Sequence, residues 1–140
     1  MSKKISISAI RNWCISTGLF VRPAKILPGK WEVFEFYYEQ YDNNLIHYNE
    51  SRINAERLFY EIDFAENKIF KHKTNLLVPL ISKIKDGNWR ISRNFVTIVN
   101  PDRLGCNVKF QFAIDKGVLK LLKKDLSGKI EFFGFFRSSK

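Results

Sequence analysis

From residue 29 onward, apolar and polar positions alternate along this chain, and the alternation predicts strands. The densest stretch, Gly29 to Tyr41, reads GKWEVFEFYYEQY. Trp31, Val33, Phe34, Phe36, Tyr37, Tyr38 and Tyr41 are residue types that suit a pleated, half-buried surface, so a long first strand is expected there. Arg57 to Phe64 sets Leu58, Tyr60, Ile62 and Phe64 on one face, with Arg57, Glu61 and Asp63 on the other beside Phe59. Ala65-Glu66-Asn67-Lys68 predicts a tight hairpin turn in which Asn67 tolerates a positive φ, and Ile69 to Thr74 is the returning strand. Residues 76–84, LLVPLISKI, are apolar around Pro79, which argues for an edge strand or a covering segment, because proline cannot donate within a central ladder.

Shorter signals follow. Asp86-Gly87-Asn88 is a turn, and Trp89 to Arg93 is a strand with Trp89, Ile91 and Arg93 on one face. Phe95 to Val99 is another strand, stopped by Asn100-Pro101, and Asn107 to Ile114 alternates Val108, Phe110, Phe112 and Ile114 against Lys109 and Gln111. Turns at Asp115-Lys116-Gly117 and Leu126-Ser127-Gly128 separate Val118 to Lys124 from Ile130 to Phe136. Turns this short permit only antiparallel pairing. The expected fold class is all-β with one short N-terminal helix: about eight antiparallel strands closed as an up-and-down barrel, with a sandwich as the competing closure.

The helix is expected within residues 5–20, where Ile7, Ile10, Trp13 and Cys14 fall at near-helical spacing and Gly18 ends the run. Arg22-Pro23 and Leu27-Pro28 then impose an extended approach, since the residue before proline is pushed out of the α region. Residues 1–28 are therefore read as a helix and linker capping the barrel, and residues 29–140 as the barrel domain. The polar run 42–56 reads as a long loop or a loop with a helical turn.

Composition changes this picture in one respect. At 140 residues, with 45% hydrophobic and 15% aromatic residues, the chain suits one well-packed domain. Thirteen Phe, five Tyr and three Trp either fill a β core or partly line an apolar cavity. The formal net charge of +10 is unevenly spread: residues 1–30 carry six cations and no acid, residues 31–67 nine acids against two arginines, and residues 68–140 sixteen cations against five acids. A basic face of this kind either meets nucleic acid, an anionic membrane surface or an acidic partner, or is simply solvated. Alternation such as Lys109-Phe110-Gln111-Phe112 would permit base stacking, although eight strands fit a five-stranded oligonucleotide-binding barrel badly.

Candidate chemistry narrows it further. Cys14 and Cys106 are too far apart for a CxxC site and are read as reduced thiols. His47, expected in a loop, and His72, expected in a strand, have no evident partners, and Glu61 with Asp63 reads as a surface charge ladder. No nucleophile elbow, zinc-protease helix or phosphate loop is present, so an enzyme, a cofactor and a metal site are not expected. The N-terminal apolar run is too short for a secretory signal, and no stretch approaches the roughly 18 apolar residues of a membrane span. A cytoplasmic location is the default expectation.

Gly29-Lys30-Trp31, Asp86-Gly87-Asn88-Trp89 followed by RISRNFVTI, and the ending VLKLLKKDLSGKIEFFGFFR resemble the lipocalin-like (calycin) small domains of bacteria over roughly residues 29–137. The resemblance implies non-enzymatic binding of a small hydrophobic or amphipathic, fatty-acid-like ligand inside the barrel. It implies that Gly29 and Trp31 open the first strand and that Arg137 packs on Trp31. With the aromatic row of the first strand turned inward, the ligand-lining candidates are Phe34, Phe36, Tyr38, Tyr60, Ile62, Phe64, Ile91, Phe110, Phe112, Leu119 and Leu121. Arg93, on the Trp89 and Ile91 face, would be an anion handle for a headgroup. The alternative is a solid barrel whose basic surface binds nucleic acid or an anionic membrane.

Overall fold

The computed structural model describes residues 26–40, 44–102 and 107–139. The N-terminal helix expected within 5–20, Tyr41 and both cysteines lie outside the described residues. The elements run β1 (Gly29–Gln40), β2 (Asn44–Tyr48), α1 (Glu50–Ala55), β3 (Tyr60–Phe64), β4 (Ile69–Thr74), α2 (Pro79–Ser82), β5 (Gly87–Ser92), β6 (Phe95–Val99), β7 (Val108–Asp115), β8 (Val118–Lys124) and β9 (Ile130–Ser138). Strands β1 and β3 to β9 pair in succession, and β9 returns to pair with β1, so eight antiparallel strands close into a barrel. Closure leaves those eight strands without a free edge pair to manage.

β1 is long enough to serve two neighbours on one side. Its first residues pair with β3, Gly29 opposite Phe64 through Glu32 opposite Glu61, and its last with β2, Phe36 opposite Tyr48 through Gln40 opposite Asn44. β2 was not evident in the polar run 42–56, where only the helical turn was anticipated. That turn is α1, whose first N–H groups are satisfied by Asn49: its Oδ1 accepts from the Arg52 amide at 2.9 Å.

A register shift between Val33 and Glu35, a β-bulge, interrupts the β1–β9 ladder. One extra residue there resets which side chains face inward. Trp31 and Val33 before the bulge and Phe36 and Tyr38 after it all join the interior cluster, while Tyr37 belongs to a second cluster on the outer face with Leu122, Ile130 and Phe133.

The interior is dense with large side chains. Trp89, Tyr60, Phe36, Phe64, Phe70, Phe132, Phe136 and Leu119 are fully buried. Residues 76–84 form the covering segment: β4 and β5 share only two register pairs, Ile69 with Asn88 and Phe70 with Gly87, and the segment between them sends Leu76, Val78, Leu80, Ile81 and Ile84 into the same core. Each such side chain contributes roughly 1.5–3 kcal/mol by leaving water, which holds a one-turn helix in place where its own hydrogen bonds would not. In the β3–β4 turn the positive φ falls on Lys68 (71°), one residue later than expected, and Asn67 instead accepts the Ile69 amide through Oδ1 at 3.2 Å.

Gly134 in β9 faces inward opposite Phe36. A Cβ added there would lie 2.5 Å from Cε2 of Phe132 and 2.9 Å from Cε1 of Phe136. Both rings are fully buried and have nowhere to retreat. Gly134→Val should therefore destabilise the barrel by about 1–3 kcal/mol, read as a lower midpoint in urea unfolding at unchanged slope.

Candidate functional site

Of the twelve candidate lining residues, eight lie in the interior cluster: Phe36, Tyr60, Ile62, Phe64, Phe110, Phe112, Leu119 and Leu121. Tyr38 and Ile91 are partly buried against it. Two differ from expectation. Phe34 points outward, because the bulge breaks the alternation that would have aligned it with Phe36 and Tyr38. Arg93 is exposed in the β5–β6 turn at φ 56°, so it offers no handle inside the barrel.

Arg137 also departs from its expected place. It stands opposite Glu32 on the outer side of the β1–β9 ladder, its guanidinium carbon 4.3 Å from the Phe34 ring centroid, and its Nη2 is 2.9 Å from Glu50. Trp31 is buried and donates its indole N–H to the Leu27 carbonyl at 2.8 Å. The cation–π contact thus forms on Phe34, and Gly29, at φ 135°, takes a conformation that L side chains rarely adopt at the head of β1.

The core is not wholly apolar. His72 of β4 bonds Tyr60 Oη through Nδ1 at 3.0 Å and the Ile84 carbonyl through Nε2 at 2.9 Å. A carbonyl only accepts, so Nε2 carries the proton and Nδ1 accepts from the tyrosine. The covering segment is thereby tied to β3 and β4, and the His72 amide donates to Asp86 Oδ1 at 3.1 Å. Burial lowers the proton affinity of His72 below its ordinary value and raises that of Tyr60 above its own. Both stay neutral and act as fixed hydrogen-bonding groups.

A second polar cluster sits outside, at the bulge. Glu35 Oε2 receives His47 Nε2 at 2.7 Å and the Tyr37 hydroxyl at 3.0 Å, while the His47 and Tyr37 rings stack with centroids 4.2 Å apart. The Tyr37 phenol is pushed up, first by burial and then by Glu35. This pairing was invisible without β2, which brings His47 opposite Tyr37. We read it as a clamp fastening β2 to β1.

Two recesses bear on binding. A small, mostly apolar one, of about 90 Å³, is bounded by Phe36, Tyr38, Tyr48, Glu56, Leu58 and Leu76–Val78; Arg52 lies 3.8 Å over the Tyr48 ring and pairs with Glu56 at 2.8 Å. On the outer sheet a groove of about 430 Å³ is lined by Phe95, Lys109, Gln111, Leu122, Lys123, Lys124 and Asp125. Register explains the latter: Arg90 stands opposite Thr97 and Thr97 opposite Lys109, two residues along each strand from the row Ser92, Phe95, Gln111 and Leu122. Directly opposed residues share a face, so Arg90, Lys109 and Phe95 all point outward. Lys109 Nζ lies 4.4 Å from the Phe95 ring centroid.

The charges of this groove are unevenly satisfied. Lys123 bonds Glu131 at 2.8 Å. Asp125 Oδ1 is taken up by its own turn, accepting from the Ser127 amide, the Ser127 hydroxyl and the Lys129 amide, which lowers its proton affinity. Arg90, Lys109 and Lys124 make no ion pair with a described residue. Phe110 and Phe112, which flank Lys109 and Gln111 in sequence, point into the core and offer no stacking surface. Phe95 is the aromatic on that face.

No group of His, Cys, Asp and Glu suited to a metal ion occurs among the described residues, and no described helix is long and apolar enough to cross a membrane. The depressed proton affinity of His72 has a consequence for stability: acid favours the unfolded chain, in which the imidazole titrates near its ordinary 6.5. Its stabilising contribution is complete above that pH and is lost as pH falls below it. Unfolding free energy measured from pH 7.5 to 5 should decline, and His72→Gln, though less stable throughout, should show a shallower decline. No protein-family model, curated protein or solved structure matches this chain.

Proposed function

We propose that this chain is a non-enzymatic binding protein that takes an anionic partner on the outer face of β5 to β8. One observation carries the reading: Lys109 and Lys124 line a groove of about 430 Å³, Arg90 stands on the same outer face across one strand from Lys109, and none of the three forms an ion pair with a described residue. Unneutralised cations gathered on one concave surface raise the local concentration of an anion and release its counterions on contact. Binding to heparin should be measurable at low salt and fall steeply as salt rises. The Arg90→Glu/Lys109→Glu/Lys124→Glu variant should abolish it, whereas Lys71→Glu/Lys73→Glu on β4 should leave most of it. Failure of the parent protein to bind heparin or anionic vesicles at low ionic strength removes this reading.

A second reading has its own support. The closed eight-stranded barrel is compatible with the lipocalin-like resemblance, and the small recess bounded by Phe36, Tyr38 and Tyr48 places aromatic surface beside the Arg52–Glu56 ion pair. Such an arrangement suits the end of an amphipathic molecule, although about 90 Å³ is well below the several hundred Å³ of a typical enclosed ligand site. Saturable one-to-one binding of a fluorescent fatty acid, weakened by Tyr38→Arg, is the expected outcome. A signal that neither saturates nor responds to Tyr38→Arg sinks it.

A further inference from the structure

The outer groove differs from a plain basic patch in having an aromatic ring set among its cations. Phe95 is half-buried and turned outward, with the Lys109 ammonium 4.4 Å from its ring centroid. Arg90 lies across one intervening strand from Lys109, about 10 Å away at ordinary strand spacing. Lys124 continues the outer side of β8 beyond Leu122 at the far wall of the groove. Cations along a groove suit a phosphate backbone, and a ring beside them suits a flat base.

Other anionic partners use less of this arrangement. A membrane surface is met by protruding side chains, and the ring here is recessed in a concavity. Double-stranded nucleic acid keeps its bases stacked within the helix and would contact the lysines alone. A single strand offers both parts: unstacked bases that lie on an aromatic face, each worth a measurable share of affinity, and a backbone that follows a positive groove.

We propose, resting on the anionic-partner reading above, that the ligand of this groove is single-stranded nucleic acid, with one base stacked on Phe95 and the adjoining phosphates held by Lys109, Arg90 and Lys124. On binding, the Lys109 ammonium exchanges its contact with the ring for a phosphate, and the base takes the ring face. Sequence preference is weak in this mode, because every base has a π-face.

Fluorescence anisotropy with a labelled oligothymidylate, alongside heparin as a polyanion without bases, tests the proposal on the full chain. Phe95→Ala should weaken oligothymidylate binding about tenfold and leave heparin affinity unchanged within error, while Phe95→Trp should restore the former. Lys109→Glu should weaken both. Circular dichroism identifies any variant that fails to fold, and Phe95→Leu, which keeps the side-chain bulk without an aromatic ring, then replaces the alanine variant. Heparin binding without oligothymidylate binding overturns this inference and leaves the anionic-partner reading standing. Equal loss of both ligands in Phe95→Ala, or tighter binding of a duplex or of anionic vesicles than of the single strand, also overturns it. Absence of binding to every polyanion overturns both.

Discussion

The barrel depends on one closure, the ladder between β1 and β9, and on the bulge that lets β1 complete it. A twelve-residue strand with unbroken alternation would turn Phe34, Phe36 and Tyr38 to the same side and put Trp31 and Val33 on that side's opposite. With one extra residue at 33–35, both Trp31 and Val33 and then Phe36 and Tyr38 reach the interior, and the strand bends around the core. The displaced residues are not wasted. Phe34 carries Arg137, and Glu35 gathers His47 and Tyr37, so the bulge also secures α1 through Glu50 and β2 through its histidine.

From that closure follows the division between inside and outside. The barrel wall is thin between β4 and β5, where two register pairs connect them, and the sequence supplies an apolar segment to cover the gap. Pro79 at the start of α2 cannot join a ladder, so the segment turns inward as a plug rather than pairing as a strand. His72, itself held by the Tyr60 hydroxyl, then satisfies the Ile84 carbonyl at its end, and no buried side-chain polar atom lacks a partner among the described residues. A plug tied down in this way adds five buried apolar side chains to the core.

Much of the barrel was legible from period-two alternation and from turn residues, because Tyr60, Ile62 and Phe64, then Phe110, Phe112 and Ile114, then Leu119 and Leu121 fall at alternate positions and are all buried. Three features were not. β2 is a polar strand, NLIHY, lying beyond the barrel on the flank of β1 with only half-buried side chains, so its hydrophobic signal is weak and the loop chemistry around it dominates. The bulge leaves no mark in composition, and a one-residue slip inverts every subsequent side chain, which is why Phe34 was placed inside. Arg93 shared the parity of Trp89 and Ile91 but fell one residue past the strand, where the hairpin takes a positive φ and parity ceases to apply.

The uneven charge of the sequence acquires a spatial meaning once the register is known. Glu32, Glu61 and Asp63 lie on β1 and β3, where Glu61 and Asp63 face Lys73 and Lys71 of β4 across the ladder, so acids and cations alternate on that side of the barrel. On β5 to β8 the cross-strand neighbours of the cations are neutral: Arg90 faces Thr97, Thr97 faces Lys109, and Lys120 faces Ala113. Opposed like-signed or neutral neighbours gain nothing from one another in the folded state, whereas opposed charges stabilise the sheet. On the β1–β4 side Glu61 and Asp63 therefore each have a cation opposite them in the ladder, while on the β5–β8 side Arg90 and Lys109 have no acid opposite and face solvent. That asymmetry, set by which strand each lysine was placed on, leaves one face of the barrel with cations that have no acid opposite them and another on which acids and cations offset one another.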